Sequence, residues 1–351
     1  MIFRQLFDPV SSTYSYILGC EGKHEAIVID SVFEQHNRDT ALLRELNLSV
    51  RYAIDTHIHA DHVTGAWLMK QEFDAQIAIA EKANVTNADV ALHDGETLVF
   101  GDCSLTAIAT PGHTAGCMTF ITEDKSMAFT GDCLLIRSAG RTDFQAGDVE
   151  TLWNSIRDKI FSLPDGCLIY PAHDYLGRTV SSVAEEKRFN PRIGGDAQQE
   201  DFSGYMENMN LPHPKLLALA VPANILSGKP EYEPNIPTWG PITVTFAGIP
   251  EVEPDWVANN RATLCILDVR NEQEFQGDLG HVEGSMLIPL SELRQRINEV
   301  PKDKPVVVIC QSGKRSAMAT QILQTDGFKQ TANIAGGLIN WTKLTLPGLV
   351  V

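Results

Sequence analysis

Apolar runs of four to seven residues, separated by turn residues and interrupted by a few amphipathic stretches, set the pattern of the first 230 positions. SYILGC and EAIVID predict strands, DTALLRELN a helix, and RYAIDTHIH a strand that runs into histidines. The following AQIAIA, TLVF, SLTAIATPGHT, CMTFIT and SMAFTGDCL predict short strands bounded by Asp-Gly and Pro-Gly turns. Residues 151–162 and 181–189 read as helices, with a strand at CLIYPAHD between them. GKPEYEPNIPTWG (229–241) has no periodicity and reads as a linker. The pattern then restarts with ITVTF, a helix at EPDWVAN, TLCILDVR, a helix near SELRQRINEV, PVVVICQSG, a helix over 316–326 and a last strand at TANIAGG. Strands alternating with helices predict a small parallel-sheet α/β domain.

A chain of 351 residues exceeds the ~250–300 at which one core stops growing, which agrees with two domains, 1–228 and 242–351. With 43% hydrophobic and 21% charged residues it has an ordinary globular composition, and no apolar run nears the ~20 residues that span a bilayer. The N-terminus lacks the plan of a secretory or transit peptide, so the expectation is a cytoplasmic protein without a membrane partner. A formal charge of −17 argues against nucleic acid. Seven scattered cysteines without a C-x-x-C pair suggest reduced thiols, and Cys103, Cys117, Cys133 and Cys167 read as small buried hydrophobes.

Two constellations carry chemistry. T-H-I-H-A-D-H places His57, His59, Asp61 and His62 at one strand end, and His113, Asp132 and His173 follow in TPGHTAG, FTGDCL and YPAHDY. Burying so many polar groups together is costly without a cation, so a metal site is expected. His24, His36, His93, His213 and His281 stand alone and read as packing or surface residues. The second constellation is Cys310, which ends PVVVI and opens Q-S-G-K-R-S before a helix. Convergent amides and a helix N-terminus favour its thiolate. Cys265, inside a strand, reads as inert.

The H-x-H-x-D-H pattern with the later His, Asp and His resembles the metallo-β-lactamase superfamily, which implies an αββα sandwich over 1–228 with the metal at loop ends. The ligand set alone favours neither zinc nor iron. GDCLLIRSAGRTDFQAGD, PAHDYLGRTVSSVAEEKRFNPRI and NLPHPKLLALAVPAN resemble the persulfide dioxygenases of sulfide oxidation. That resemblance implies one Fe(II) held by His57, His113 and Asp132, with His59, Asp61, His62 and His173 orienting ligands and water. It also implies oxidation of glutathione persulfide by O2 to sulfite and glutathione, with Arg141, Tyr175 and Arg178 as candidates for gripping the glutathione carrier.

LDVRNEQEFQGDLGHVEGSMLIP, CQSGKRS and NIAGGLINW resemble a single-domain rhodanese. This implies sulfur transfer between thiosulfate or sulfite and glutathione through a Cys310 persulfide, with Lys314 and Arg315 attracting the anion. Asp268, Arg270 and Glu274 are read as holding the loop and helices. A glyoxalase II-like thioester hydrolase with two zinc ions is the rival for the first domain, and a degenerate binding module the rival for the second. A homo-oligomer stays open.

Overall fold

The computed structural model describes residues 1–143, 145–230 and 239–350. The chain forms two compact units, Met1–Tyr232 and Glu233–Val351. Most of the predicted linker, 231–238, lies outside the described residues. Of its described ends, Lys229 stacks on Trp67 of the first unit, while Trp239 packs edge-on against Trp256 of the second.

In the first unit, β1 (Ile2–Asp8), β2 (Thr13–Gly19), β3 (Glu25–Ile29), β4 (Ser49–Ile54), β5 (Gln76–Ala80) and β6 (Val90–Leu92) form one sheet in sequence order. The second sheet runs β7 (Glu96–Phe100), β8 (Cys103–Ala109), β9 (Met118–Thr122) and β10 (Met127–Gly131). A small hairpin, β11 (Leu134–Leu135) with β12 (Ser138–Ala139), precedes its last strands, β13 (Leu168–Pro171) and β14 (Ser181–Ser182).

The apolar faces of the two sheets meet in a core that includes Tyr16, Leu18, Phe100, Phe120 and Phe129. Each such side chain contributes about 1.5–3 kcal/mol by leaving water. The outer face of the first sheet is covered by α1 (His36–Glu45) and α2 (Ala66–Phe73). The other outer face is covered by α3 (Val149–Asn154), a π-helical turn (Ser155–Ile160), α4 (Val183–Phe189) and α5 (Gln199–Glu207). This is the predicted αββα sandwich. The unit closes with α6 (Leu217–Ile225).

In the second unit, β15 (Thr243–Val244), β16 (Pro250–Val252), α7 (Pro254–Asn260), β17 (Cys265–Asp268), α8 (Glu272–Phe275), β18 (His281–Val282) and β19 (Met286–Leu287) come first. They are followed by α9 (Leu293–Arg296), β20 (Val306–Ile309), α10 (Lys314–Thr325), β21 (Thr331–Ile334), α11 (Gly337–Lys343) and β22 (Leu349–Val350). The sheet order is β15-β16-β21-β20-β17-β19, parallel except at β15–β16, around fully buried Val307, Ile309, Ile334 and Trp341.

Among the elements that the sequence reading misses are β1, α2, α5, α6 and α11. The charged IFRQLFD hides its alternation because β1 is an edge strand with several half-buried positions. RYAIDTHIH is strand only to Ile54, so the histidines sit on a loop.

Candidate functional site

Strands β3, β4, β10 and β13 end on one rim of the sandwich, each carboxyl end releasing a short loop that carries polar side chains. Ligand sites in layered α/β folds gather at such ends. Asp30 follows β3, residues 55–62 follow β4, Asp132 follows β10, and His173 lies two residues past β13; His113 lies beyond β8.

The rim joins His57, His113 and Asp132 into one buried group, whose candidate ligand atoms all lie within 4.8 Å of one another. The Nδ1 of His57 lies 2.9 Å from Thr56 Oγ1, which donates to Asp30 Oδ2. His113 Nδ1–H donates to the Arg141 carbonyl at 2.6 Å. Both Nε2 atoms are thereby turned inward, and His113 Nε2 stands 3.7 Å from Asp132 Oδ2. Tying off the outer nitrogen is how proteins fix a metal-binding imidazole.

Burial, reinforced by the neighbouring histidines, pushes His57 well below the usual imidazole range, and burial also lowers His113. Each therefore keeps a lone pair. Burial would raise Asp132, but His173, hydrogen-bonded to it at 2.6 Å, holds its carboxyl well below the ordinary range. Two neutral imidazoles and a carboxylate on one face fit a facial-triad metal.

A second group, His59, Asp61, His62 and His173, adjoins the first. His173 lies between two carboxylates, its Nδ1 2.6 Å from Asp132 and its Nε2 2.9 Å from Asp61. Although burial opposes it, those partners raise its pKa well above the ordinary value. Buried His59 Nδ1, 4.0 Å from Asp61 Oδ1, and His62 Nε2 have no hydrogen-bond partner among the described residues, so the same rim holds spare donor atoms for a further cation.

Of the three candidates for gripping glutathione, Tyr175 is 70% exposed, and its ring lies parallel to His173 with centroids 6.1 Å apart. Arg141 binds Asp143 and the Leu211 and Pro212 carbonyls, and Arg178 binds buried Asp174. Both guanidinium groups thus hold intramolecular partners.

Sequence reasoning overlooked the supports. Asp30, at φ +51°, accepts the Thr56 amide and hydroxyl and stands 3.1 Å from His59 Nε2. Asp55, raised by burial to about 7, accepts from Thr64. Thr13 Oγ1 touches Asp61, His62 and His173. Asn224 of α6 donates to the His59 and His62 carbonyls at 2.9 Å each and accepts the Thr64 amide. The one available signal was Asp30, a charged residue directly after the apolar EAIVI.

In the second unit, Cys310 follows β20 and is 1% exposed. Burial pushes its thiol up, but the Ser316 hydroxyl, 3.3 Å from Sγ, and the amides of Ser316, Ser312 and Arg315 outweigh that and bring it below an ordinary thiol. Gly313, at φ +87°, turns the chain into α10, two residues earlier than predicted. The Cys310 and Gln311 carbonyls accept the Leu338 and Ile339 amides of α11.

Arg315 makes a bidentate ion pair with Glu274 at 2.7 and 2.6 Å. Its guanidinium, read from sequence as attracting an anion, is therefore matched by a carboxylate. Lys314 opens α10 beside it. Arg270 pairs with fully buried Asp268 and with the Gly280 and Glu274 carbonyls, bracing the domain.

Comparison with known proteins finds a family for each unit. Residues 8–173 match the metallo-beta-lactamase superfamily and residues 253–344 the rhodanese-like domain. The human protein "Persulfide dioxygenase ETHE1, mitochondrial" is 48% identical over 228 residues, 65% of this chain and 89% of its own length; the mouse protein of the same name is 47% identical with the same coverage. The crystal structure of ETHE1 from Myxococcus xanthus superposes with a TM-score of 0.63 at 44% identity, covering 65% of this chain and all of that one. A metallo-beta-lactamase structure from Staphylococcus aureus, 22% identical, covers 95% of this chain and 99% of its own with a TM-score of 0.61, a likeness of fold.

Proposed function

Because the chain belongs to the metallo-β-lactamase superfamily, with persulfide dioxygenases as relatives of its first unit and a rhodanese-like domain in its second, we propose a bifunctional enzyme of sulfur metabolism that oxidises glutathione persulfide and transfers sulfur through Cys310. The first reaction balances as glutathione persulfide, O2 and water giving glutathione, sulfite and two protons. The observation that carries it is the convergence of His57, His113 and Asp132 with the outer imidazole nitrogens already occupied.

One iron(II), when bound by these three groups, supplies the redox chemistry that lets dioxygen oxidise the outer sulfur. The chain's own part is to orient and to exclude water. Thr56 and the Arg141 carbonyl hold the two imidazoles, and His173 holds Asp132. The exposed Tyr175 ring offers the glutathione moiety a face at the rim, with Arg141 and Arg178 as neighbours for its carboxylates.

In the second unit, the Cys310 thiolate attacks the outer sulfur of thiosulfate; the sulfur–sulfur bond breaks and sulfite leaves with its electron pair. Glutathione thiolate then takes that sulfur, and Cys310 departs as thiolate. The Ser316 hydroxyl and loop amides stabilise sulfur anions at both steps, and Lys314 draws the anionic donor. Tethering a maker of glutathione persulfide to its consumer raises the local concentration of the shared intermediate. No helix among the described residues is long and apolar enough to cross a membrane, and seven unpaired cysteines suit a reducing compartment such as the cytoplasm.

The test is oxygen uptake by iron-loaded protein given glutathione persulfide, with sulfite measured as product. Uptake present in the intact chain, lost in His113→Ala and kept in Cys310→Ser supports the division of labour. His59 Nδ1 and His62 Nε2, buried and without a hydrogen bond among the described residues, favour one second reading, a two-metal thioester hydrolase. Two zinc ions per chain and thioester hydrolysis without oxygen uptake would establish it instead.

A further inference from the structure

At the far end of β2, away from the metal rim, the turn after Gly19 meets the β7–β8 hairpin of the other sheet. Thr13, which opens β2, touches the metal-site residues, so Cys20 stands roughly 20 Å along the strand from them. The hairpin turn is two residues, Gly101 and Asp102, closed by the Phe100–Cys103 pair. It is pressed onto the Cys20 turn. The Asp102 amide donates to Cys20 Sγ at 3.3 Å, and the Gly101 amide donates to Glu25 at 2.7 Å.

Gly101, at φ +63°, has no room for a side chain, since a Cβ there would fall 2.6 Å from Cys20 Sγ. The amides of Gly22 and Lys23 also face that sulfur, and Cys103, the residue after Asp102, stands beside it at the closing pair of the hairpin. Cys20 is 3% exposed and Cys103 is half-buried. The fold therefore brings together two thiols 83 positions apart (103 minus 20), one in the turn that leaves β2 of the first sheet and one opening β8 of the second, with amides disposed around the inner sulfur.

We propose that Cys20 and Cys103 are a redox-active pair that closes to an intramolecular disulfide by exchange with glutathione disulfide, stapling the two sheets at the end opposite the metal centre. The asymmetry of the pair sets the order of steps. Cys103 attacks first because it is the reachable thiol, although burial and the neighbouring Cys20 hold its proton on more tightly than usual; once deprotonated it attacks one sulfur of glutathione disulfide, a Cys103–glutathione bond forms and one glutathione leaves as thiolate. Cys20, whose thiolate the surrounding amides favour, then attacks Cys103 Sγ, and the second glutathione leaves. Two protein thiols are oxidised, one low-molecular-weight disulfide is reduced to two thiols, and the two protons pass to the departing thiolates. The closed loop is long, so the cross-link removes much freedom from the unfolded chain.

The experiment treats the reduced full chain with glutathione disulfide, maps its cysteines by mass spectrometry without reductant, and compares melting before and after. The expected result is a mass lower by two hydrogens, a Cys20–Cys103 cross-linked peptide, and a melting temperature for the first unit higher by roughly 5 °C, reversed by dithiothreitol. Cys20→Ser should instead stop at a glutathione adduct on Cys103, and Cys103→Ser should show neither cross-link nor shift. A wild-type chain that keeps both thiols free to alkylation, retains the glutathione adduct on Cys103, or cross-links a different pair would overturn the proposal.

Discussion

The metal rim and the Cys310 loop concentrate reactive groups by opposite means. The rim is assembled from side chains supplied by five strand ends, and its precision depends on partners such as Asp30, Thr56 and Asn224 that come from far along the sequence. The Cys310 loop is one contiguous stretch whose active features are mostly main-chain amides, backed by Ser316 six residues on. A side-chain site can be weakened by degrees through its supports, whereas a loop site depends on one nucleophile and on backbone shape. Both tolerate no Cβ at one glycine. A methyl at Gly140 would lie 2.1 Å from the Asp132 carbonyl and 3.0 Å from the His113 ring, and one at Gly337 would lie 2.4 Å from the Cys310 carbonyl.

The largest expected effect is on the nucleophile: Cys310→Ser should cut thiosulfate sulfurtransfer by roughly 10³-fold or more while oxygen uptake is unchanged. A parallel fall in both activities would show that the two sites are not separable. Next, Gly140→Ala should cost the first unit most of its bound iron, measured as iron per chain after desalting, and Gly337→Ala should slow Cys310 alkylation at fixed pH. Retention of full iron by Gly140→Ala would mean that the loop can shift without moving Asp132.

Asp30→Asn, which leaves the ligands in place but weakens the Thr56 and His59 contacts, should loosen iron about 10–100-fold in competition with a chelator. An unchanged affinity would place the support elsewhere. Smallest is Glu274→Gln, which keeps the helix cap but releases Arg315 toward substrate; the KM for thiosulfate should fall a few-fold with kcat little changed.

The same variant has a pH signature. The Arg315 hydrogen bonds hold the Glu274 carboxyl down at about 2, from an ordinary 4.5. A depressed carboxyl stabilises the fold above its unfolded pKa and loses that contribution as pH falls through the folded value. The melting difference between wild type and Glu274→Gln should therefore be full above pH 4.5 and shrink toward pH 2. A difference constant across that range would remove the ion pair from the account.

How much could be read in advance follows the same division. His57, His59, Asp61 and His62 are close in sequence because one strand end delivers them together, and the Cys310 loop is legible because strand, cysteine, glycine and helix are consecutive. Thr13 and Asn224 were invisible, since each meets the rim from 48 or more positions away and neither residue type is unusual where it stands. The Arg315–Glu274 pair was missed for a related reason: 41 positions separate its members, so each was assigned a separate task. Cys103 reads as a small hydrophobe in its strand, and only the meeting of two hairpin turns sets it against Cys20.

Asn224 also dates the completion of the rim during synthesis. It is the clamp that receives the Thr64 amide and pins the His59 and His62 carbonyls, yet it lies 51 positions beyond His173, the last of the seven candidate ligating residues (224 minus 173). A ribosome has thus delivered every candidate ligating side chain well before it delivers the residue that fixes the loop between them. Under the proposed function, iron reaching the nascent chain would enter an unfastened site, and secure loading would be timed by the emergence of α6 and not by that of the histidines.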